Sequence, residues 1–292
     1  MKKVLAHLIL ALSFLTAAAQ SQNDKSLLWE ISSREGKTSY LFGTYHLLGS
    51  DYIKQKPKLN AIYQNAQTIV VETVMDSSLL PQLSMQSFMQ KSIEEMTDSA
   101  DYVLLKNELE PLVGAPMSLL NNMKPIALAT VISLKFAQEA TPDTFLFKGQ
   151  PIDLFFAADA KKRGKKLVAL ESMMEQAELL MNGESVEEQL EGLIYIVKEK
   201  EETKVITERT IMAYMEQDVP AMLEISQGQD EEMGDMAVLL DDRNKKWLPK
   251  LEPLLQEGQT FIAVGALHLP GESGLIQLLR NEGYILKPLR LK

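Results

Sequence analysis

Two short stretches, LFGTYHLLGS near the start and VGALHLPGES near the end, each place a histidine three residues after a glycine. The chain has only three histidines, and His7 belongs to an N-terminal segment with the marks of a cleaved leader. His46 and His268 are then the imidazoles of the mature chain. With 15 glycines in 292 residues, chance would put glycine before both histidines roughly once in four hundred. A strand that reaches a glycine can turn tightly or approach another backbone closely, and the imidazole is presented just past the strand end. In α/β sheets that edge is where ligands bind. Two further strand-like runs close on carboxylates, TIVVE at Glu72 and KLVALE at Glu171.

If these four strands lie parallel and adjacent, two imidazoles and two carboxylates meet at one rim. Such a set suits a divalent metal, and neutral imidazole with carboxylate favours Zn, Mn, Co or Fe over Ca or Mg. Two or three protein ligands leave room for water, whose pKa the metal lowers, and a spare carboxylate can take the proton. Hydrolysis follows from that arrangement. The same residues have a plainer use: buried histidines are usually satisfied core residues, and acids at strand ends are commonly caps or ion-pair partners. Arg243, in LLDDRNKKW, carries the same double reading, since it can clamp a carboxylate, polarise a carbonyl or neutralise clustered glutamates.

The elements that must position these residues are legible at both ends of the chain. SLLWEISSREGKTSYLFGTY reads as a hairpin around a polar SREGK turn, PKLNAIYQNA as a helix and TIVVETV as a strand buried on both faces. PIDLFFAADAKKRGKKLVALES reads as a helix stopping at Gly164 and a short strand, the unit that builds parallel sheets. The end repeats the pattern: helix KKWLPKLEPLLQEG, strand TFIAVGAL, turn PGESG, helix LIQLLRNEG and strand YILKPL. Between them lie a helical insert over about 77–150, broken by Pro111, Pro116, Pro125 and Pro142, and a second helical block over about 172–246 opened by the capping pattern Ser185-x-x-Glu188. Methionines spread through the insert read as core filler, with a flexible apolar lid as the sharper alternative. The fold class is α/β (α+β), a mixed, mostly parallel central sheet with flanking helices and a large helical insertion.

MKKVLAHLILALSFLTAAAQSQ has two lysines, an apolar run too short to span a bilayer and an Ala17-x-Ala19 site, so residues 1–19 read as a signal peptide and 20–292 as one domain. Without cysteine there is no lipid-modified cysteine after the leader, no disulfide and no thiol catalysis. The expectation is a soluble exported protein, periplasmic or secreted, with no stable membrane span after cleavage. Net charge is −10, and loss of Lys2 and Lys3 makes it about −12. An acidic chain without basic stripes argues against a nucleic-acid partner.

LFGTYHLL, IVVET, PIDLFFAADAKKRGKKLVALESMMEQ, LLDDRNKKWLPKL and VGALHLPGESGLIQLLRNEGY resemble, in order, the TraB/GumN (TraB/PrgY/GumN) family, whose eukaryotic relatives include the Tiki proteases. The resemblance implies an exported divalent-metal-dependent hydrolase, a Tiki-like metallopeptidase acting on a peptide or small-molecule substrate, with manganese or cobalt as the metal and zinc next. It maps the two Gly-x-x-His motifs onto Gly43–His46 and Gly265–His268, the strand-end acid onto Glu72, the acid of the LE-containing strand onto Glu171, and an Arg-Asn pair onto Arg243 and its neighbour. His46, His268 and Glu72 would bind metal, Glu171 would be general base or an added ligand, and Arg243 would stabilise negative charge or brace the acids. The glutamate roles can be exchanged. The wider fold group implied is that of erythromycin-esterase-like and haem-binding ChaN-like proteins. Two other readings keep the residues: a metal-independent esterase with a histidine base, and a non-catalytic protein binding haem through Tyr45 or a histidine, or gripping a peptide.

Overall fold

The computed structural model describes residues 25–141, 149–228 and 237–292. The expected signal peptide, and short parts of the two helical blocks, lie outside the described residues. Among the described residues the sheet has six strands: β1 (Leu28–Ser32), β2 (Thr38–Thr44), β3 (Thr68–Val71), β4 (Lys166–Ala169), β5 (Thr260–Gly265) and β6 (Ile285–Pro288). Its spatial order is β4-β3-β5-β2-β1-β6. The first four are mutually parallel, and β1 runs antiparallel to both β2 and β6. The fold class is therefore the mixed, mostly parallel α/β arrangement expected from the sequence, and the N-terminal hairpin forms as read.

The α-helices among the described residues are, in chain order, α1 (Asp51–Gln55), α2 (Pro57–Asn65), α3 (Leu80–Gln86), α4 (Ile93–Met96), α5 (Ser99–Leu109), α6 (Met117–Leu120), α7 (Pro125–Ala140), α8 (Ile152–Lys162), α9 (Met173–Asn182), α10 (Val186–Lys198), α11 (Lys200–Met215), α12 (Val219–Gln227), α13 (Asp242–Glu257) and α14 (Leu275–Asn281). Capping boxes start three of them, Ser92 with Glu95, Ser172 with Glu175 and Ser185 with Glu188, each satisfying two orphan N–H groups. Gly164, at φ +67°, ends α8 and turns the chain into β4.

Period-two alternation explains how β5 is buried on both sides. Phe261 and Ala263 face a cluster containing Phe42, Tyr63 and Phe156, while Ile262 and Val264 face one containing Trp29, Trp247, Leu251 and Leu279. A third cluster joins Leu105, Leu109, Leu128, Ile132 and Phe136 of the insert to Leu190, Leu193, Ile196 and Val197 of α10. The two helical blocks, separate in sequence, thus share one core. Met117 is buried there and Met89, Met96 and Met123 pack against it, whereas Met75 and Met85 are exposed.

Parallel pairing brings the carboxyl ends of β4, β3, β5 and β2 side by side, with Thr44 opposite Gly265 and Val71 opposite both Ala169 and Ala263. A Cβ on Gly43 would come within 3.0 Å of the Ala266 Cα, so glycine here lets the turn carrying His268 pack directly on β2. Gly43→Ala is expected to destabilise the protein by about 1–3 kcal/mol through overpacking against backbone, read as a lower urea midpoint with an unchanged m-value.

Candidate functional site

Each site residue sits one to three positions past a strand end or in the first turn or so of a helix. Glu72 follows β3, and Glu171 follows β4, where its backbone N–H donates to the Glu72 carbonyl at 2.9 Å. His268 closes the 3₁₀ turn Ala266–His268 after β5. Arg243 lies in the first turn of α13, with Trp247 one turn on, and the guanidinium stacks 4.7 Å from the indole centroid.

Arg243 is the hub. Its Nη2 donates to Glu72 Oε2 at 2.7 Å and to Glu171 Oε1 at 2.5 Å, its Nε to Glu171 Oε2 at 3.2 Å, and its Nη1 to the Leu239 carbonyl at 3.0 Å. Gln176, one turn into α9, bridges the same acids with 3.1 Å bonds to both, and Trp247 Nε1 donates to Glu171 Oε2 at 3.3 Å. Both oxygens of Glu171 are therefore occupied, and its side chain is only 3% exposed. Glu72 Oε1 accepts the Gly265 N–H at 2.7 Å and lies 3.8 Å from His268 Nε2. Burial acts to raise the Glu72 carboxyl, but His268, Arg243 and the Gly265 N–H outweigh it and hold it below the ordinary range.

The two histidines differ in electrostatic setting. His268 is buried against the Trp247 ring, with centroids 4.4 Å apart. Asn244 Nδ2 donates to the carbonyls of His268 (3.2 Å) and Ser273 (2.9 Å), so its Oδ1 must accept from His268 Nδ1–H at 2.8 Å. The Nε2 lone pair is thereby turned toward Glu72 and Arg243, 3.1 Å from Nη1. Burial first, then the Arg243 charge, push the His268 pKa down to about 4, so the ring is neutral at pH 7.

His46 follows β2 in a loop held against α8 by the bonds Ser50 N–H to Gln150 O and Ile152 N–H to Leu48 O, both 2.8 Å. That contact sets Asp153, in the first turn of α8, 3.1 Å from His46 Nδ1. Hydrogen bonding to Asp153 raises the His46 pKa above its ordinary value. For Asp153, burial is the largest single influence and acts upward, but the hydrogen bond and charge of His46 together with further hydrogen bonds outweigh it and the pKa falls. The His46 side chain is 74% accessible, and it lines a cleft of about 990 Å³. His46 does not touch the arginine cluster, although Glu72, Arg243 and His268 all act on it or feel it electrostatically.

The strand-end reading thus brings Glu72, Glu171, His268 and Arg243 into one bonded network and leaves His46 beside it. Asp153, Gln176, Asn244 and Trp247 escaped the reading from residues. Asp153 had a signal, an acid in the first turn of a helix that follows proline, but it reads equally as a helix-dipole partner.

A mostly parallel α/β sheet whose carboxyl edge carries an Arg–Glu–Glu–His network and a second, carboxylate-paired histidine defines the class of the molecule: an α/β protein with its site on the sheet rim. The chain belongs to the TraB/PrgY/gumN family, whose model matches residues 27–288. No curated protein matches the chain.

Arg243→Met would leave two buried carboxylates without their cation and should cost about 3–5 kcal/mol at pH 7. In the wild type, Glu72 contributes stability that is present above the ordinary carboxylate pKa and lost as pH falls through its depressed value. In the variant Glu72 lacks that cation and takes up a proton more readily, so the deficit should shrink toward pH 4, which urea unfolding across pH measures. NMR titration should show His46 ionising above the usual histidine value, while the His268 ring stays neutral down to about pH 4.

Proposed function

We propose that the protein is an exported divalent-metal-dependent hydrolase, with His46, His268 and Glu72 as the metal ligands. The observation that carries this reading is the matched anchoring of the two imidazoles through Nδ1. Each has Nδ1 tied to an oxygen, Asp153 Oδ2 or Asn244 Oδ1, which leaves Nε2 as the lone-pair nitrogen, the anchoring that metal-ligating histidines require. Neutral His268 and ionised Glu72 are also in the protonation states a metal needs. The donor chemistry fits manganese, cobalt or zinc. Among the described residues no three of these groups are gathered closely enough to ligate one ion, and Arg243 Nη1 holds the His268 lone pair.

A divalent ion held by these residues would supply Lewis acidity toward a carbonyl and toward water. Arg243 helps keep Glu72 ionised, and its Nη1 is the cation nearest the imidazole, placed to stabilise negative charge developing on substrate. Glu171 has no free oxygen, so it braces Arg243 and is not available to move a proton. Asp153 fixes the His46 tautomer and ring plane.

The His46–Asp153 pair favours a second reading, in which His46 acts as general base on an ester or amide without metal. Its raised pKa and open face suit that role. Haem ligation through Tyr45 gains no such support, because burial pushes that phenol up to about 12.

After incubation with Mn²⁺, Co²⁺ or Zn²⁺ and desalting, the wild type is expected to retain about one ion, and His268→Ala at least tenfold less at equal free metal. Equal, negligible loading of the wild type and His46→Ala would defeat the metal reading. Hydrolysis that persists after exhaustive chelation would select the His46 base.

A further inference from the structure

The cleft runs from Tyr45, His46 and Leu267 at the sheet rim between α7, α10 and α11. Contacts along these helices identify its ends. Ile126, at the start of α7, donates its backbone N–H to Gln189, at the start of α10. Phe136, near the end of α7, carries Lys204 of the first turns of α11 over its ring at 5.2 Å. The later turns of α11 return to the rim, where Tyr214 donates to the Gly43 carbonyl at 3.0 Å and its ring lies 5.2 Å from that of Tyr45. Thr210 therefore marks the mouth beside His46, and Thr203 with Ala137 marks the inner end, roughly 10 Å deeper at the rise of an α-helix.

The walls are less polar than their composition. Thr130, Thr203, Thr207 and Thr210 each donate their hydroxyl to the carbonyl four residues back, at 2.8–3.0 Å, so these four offer a ligand no proton. The Gln189 amide is engaged by the carbonyls of Met181 and Glu184, both at 3.0 Å. Helices form the walls, and among the described residues that line the cleft no strand edge is present to pair with an extended peptide backbone, whose carbonyls would be buried without donors. An apolar chain has no such cost. The charged lining is one-sided as well: Glu184, Glu188 and Glu191 contribute, and among the described residues no lysine or arginine does. The first two lie at the start of α10, the end paired with the start of α7, where they favour a cation over an anion.

We propose that the cleft binds the apolar chain of an amphiphile and holds its cationic head at the mouth beside His46. On the hydrolase reading above, on which only this step rests, the substrate is an ester or amide joining an apolar chain to a cationic group. Binding itself is independent of turnover.

Calorimetric titration of the metal-free protein with dodecyltrimethylammonium, below its micelle concentration, tests this directly. Saturable binding is expected, at least tenfold tighter than that of dodecanoate, with none for tetramethylammonium. Gly192, on α10, also lines the cleft, and Gly192→Leu fills it with a better helix former, so binding should weaken at least tenfold. Thr207→Val replaces an engaged hydroxyl with a methyl and should tighten binding about threefold. Dodecanoate binding as tightly as the cation, a folded Gly192→Leu that binds normally, or a Thr207→Val that binds more weakly would each overturn the proposal. Hydrolysis with no amphiphile binding sinks the cleft assignment alone, and amphiphile binding with no hydrolysis sinks the hydrolase reading alone.

Discussion

The site depends on one guanidinium placed between two buried carboxylates. Bringing Glu72 and Glu171 together in a low-dielectric rim would drive at least one to protonate. The planar fork of Arg243 resolves this with short bonds to both acids, and lysine could not reproduce the paired contact to Glu171. Its effect reaches further than the acids. By approaching His268 Nε2 it opposes protonation of a ring already disfavoured by burial, so the imidazole remains a neutral donor. With His268 neutral, the two acids and one arginine carry a net charge of about −1, which makes the rim receptive to a cation.

That network can form only because the sheet order differs from the chain order. β4 and β5 are about ninety residues apart, yet they flank β3, and the crossovers bring all four carboxyl ends to the same edge. The helices then complete what the strands begin. The start of α13 supplies Arg243 and Asn244, the start of α9 supplies Gln176, and the start of α8 supplies Asp153. Acids and amides at helix starts are ordinary capping residues in sequence; here the sheet edge gives them something to hold.

This explains which parts were legible from residues alone. The Gly-x-x-His pair was readable because glycine has a steric reason at both positions: Gly43 admits the 266–268 turn, and a Cβ on Gly265 would press on Glu72 Oε1 at 3.3 Å. Strand-end acids were readable because β-branched runs announce their own ends. The separation of His46 from the arginine network was not, since it follows from the loop after β2 packing on the start of α8, a contact between segments about a hundred residues apart. Nor was the engagement of Glu171 by four donors, because sequence gives an acid's position but not its partners. The cleft was hidden for a third reason. Its walls come from two blocks whose shared core exists only after both have folded.

The division between sheet and helices carries a physical consequence for specificity. The residues of the rim network are fixed by sheet pairing and by mutual hydrogen bonds, so changing one leaves others buried and unsatisfied. The cleft-facing positions of α7, α10 and α11 are under weaker constraint, because the backs of these helices supply the shared core while their fronts line open space. A change such as a larger residue at Gly192 alters what enters without disturbing Arg243. On the proposed function the rim sets the reaction, and on the proposed cleft assignment the length and charge of the helical cleft select the molecule that undergoes it.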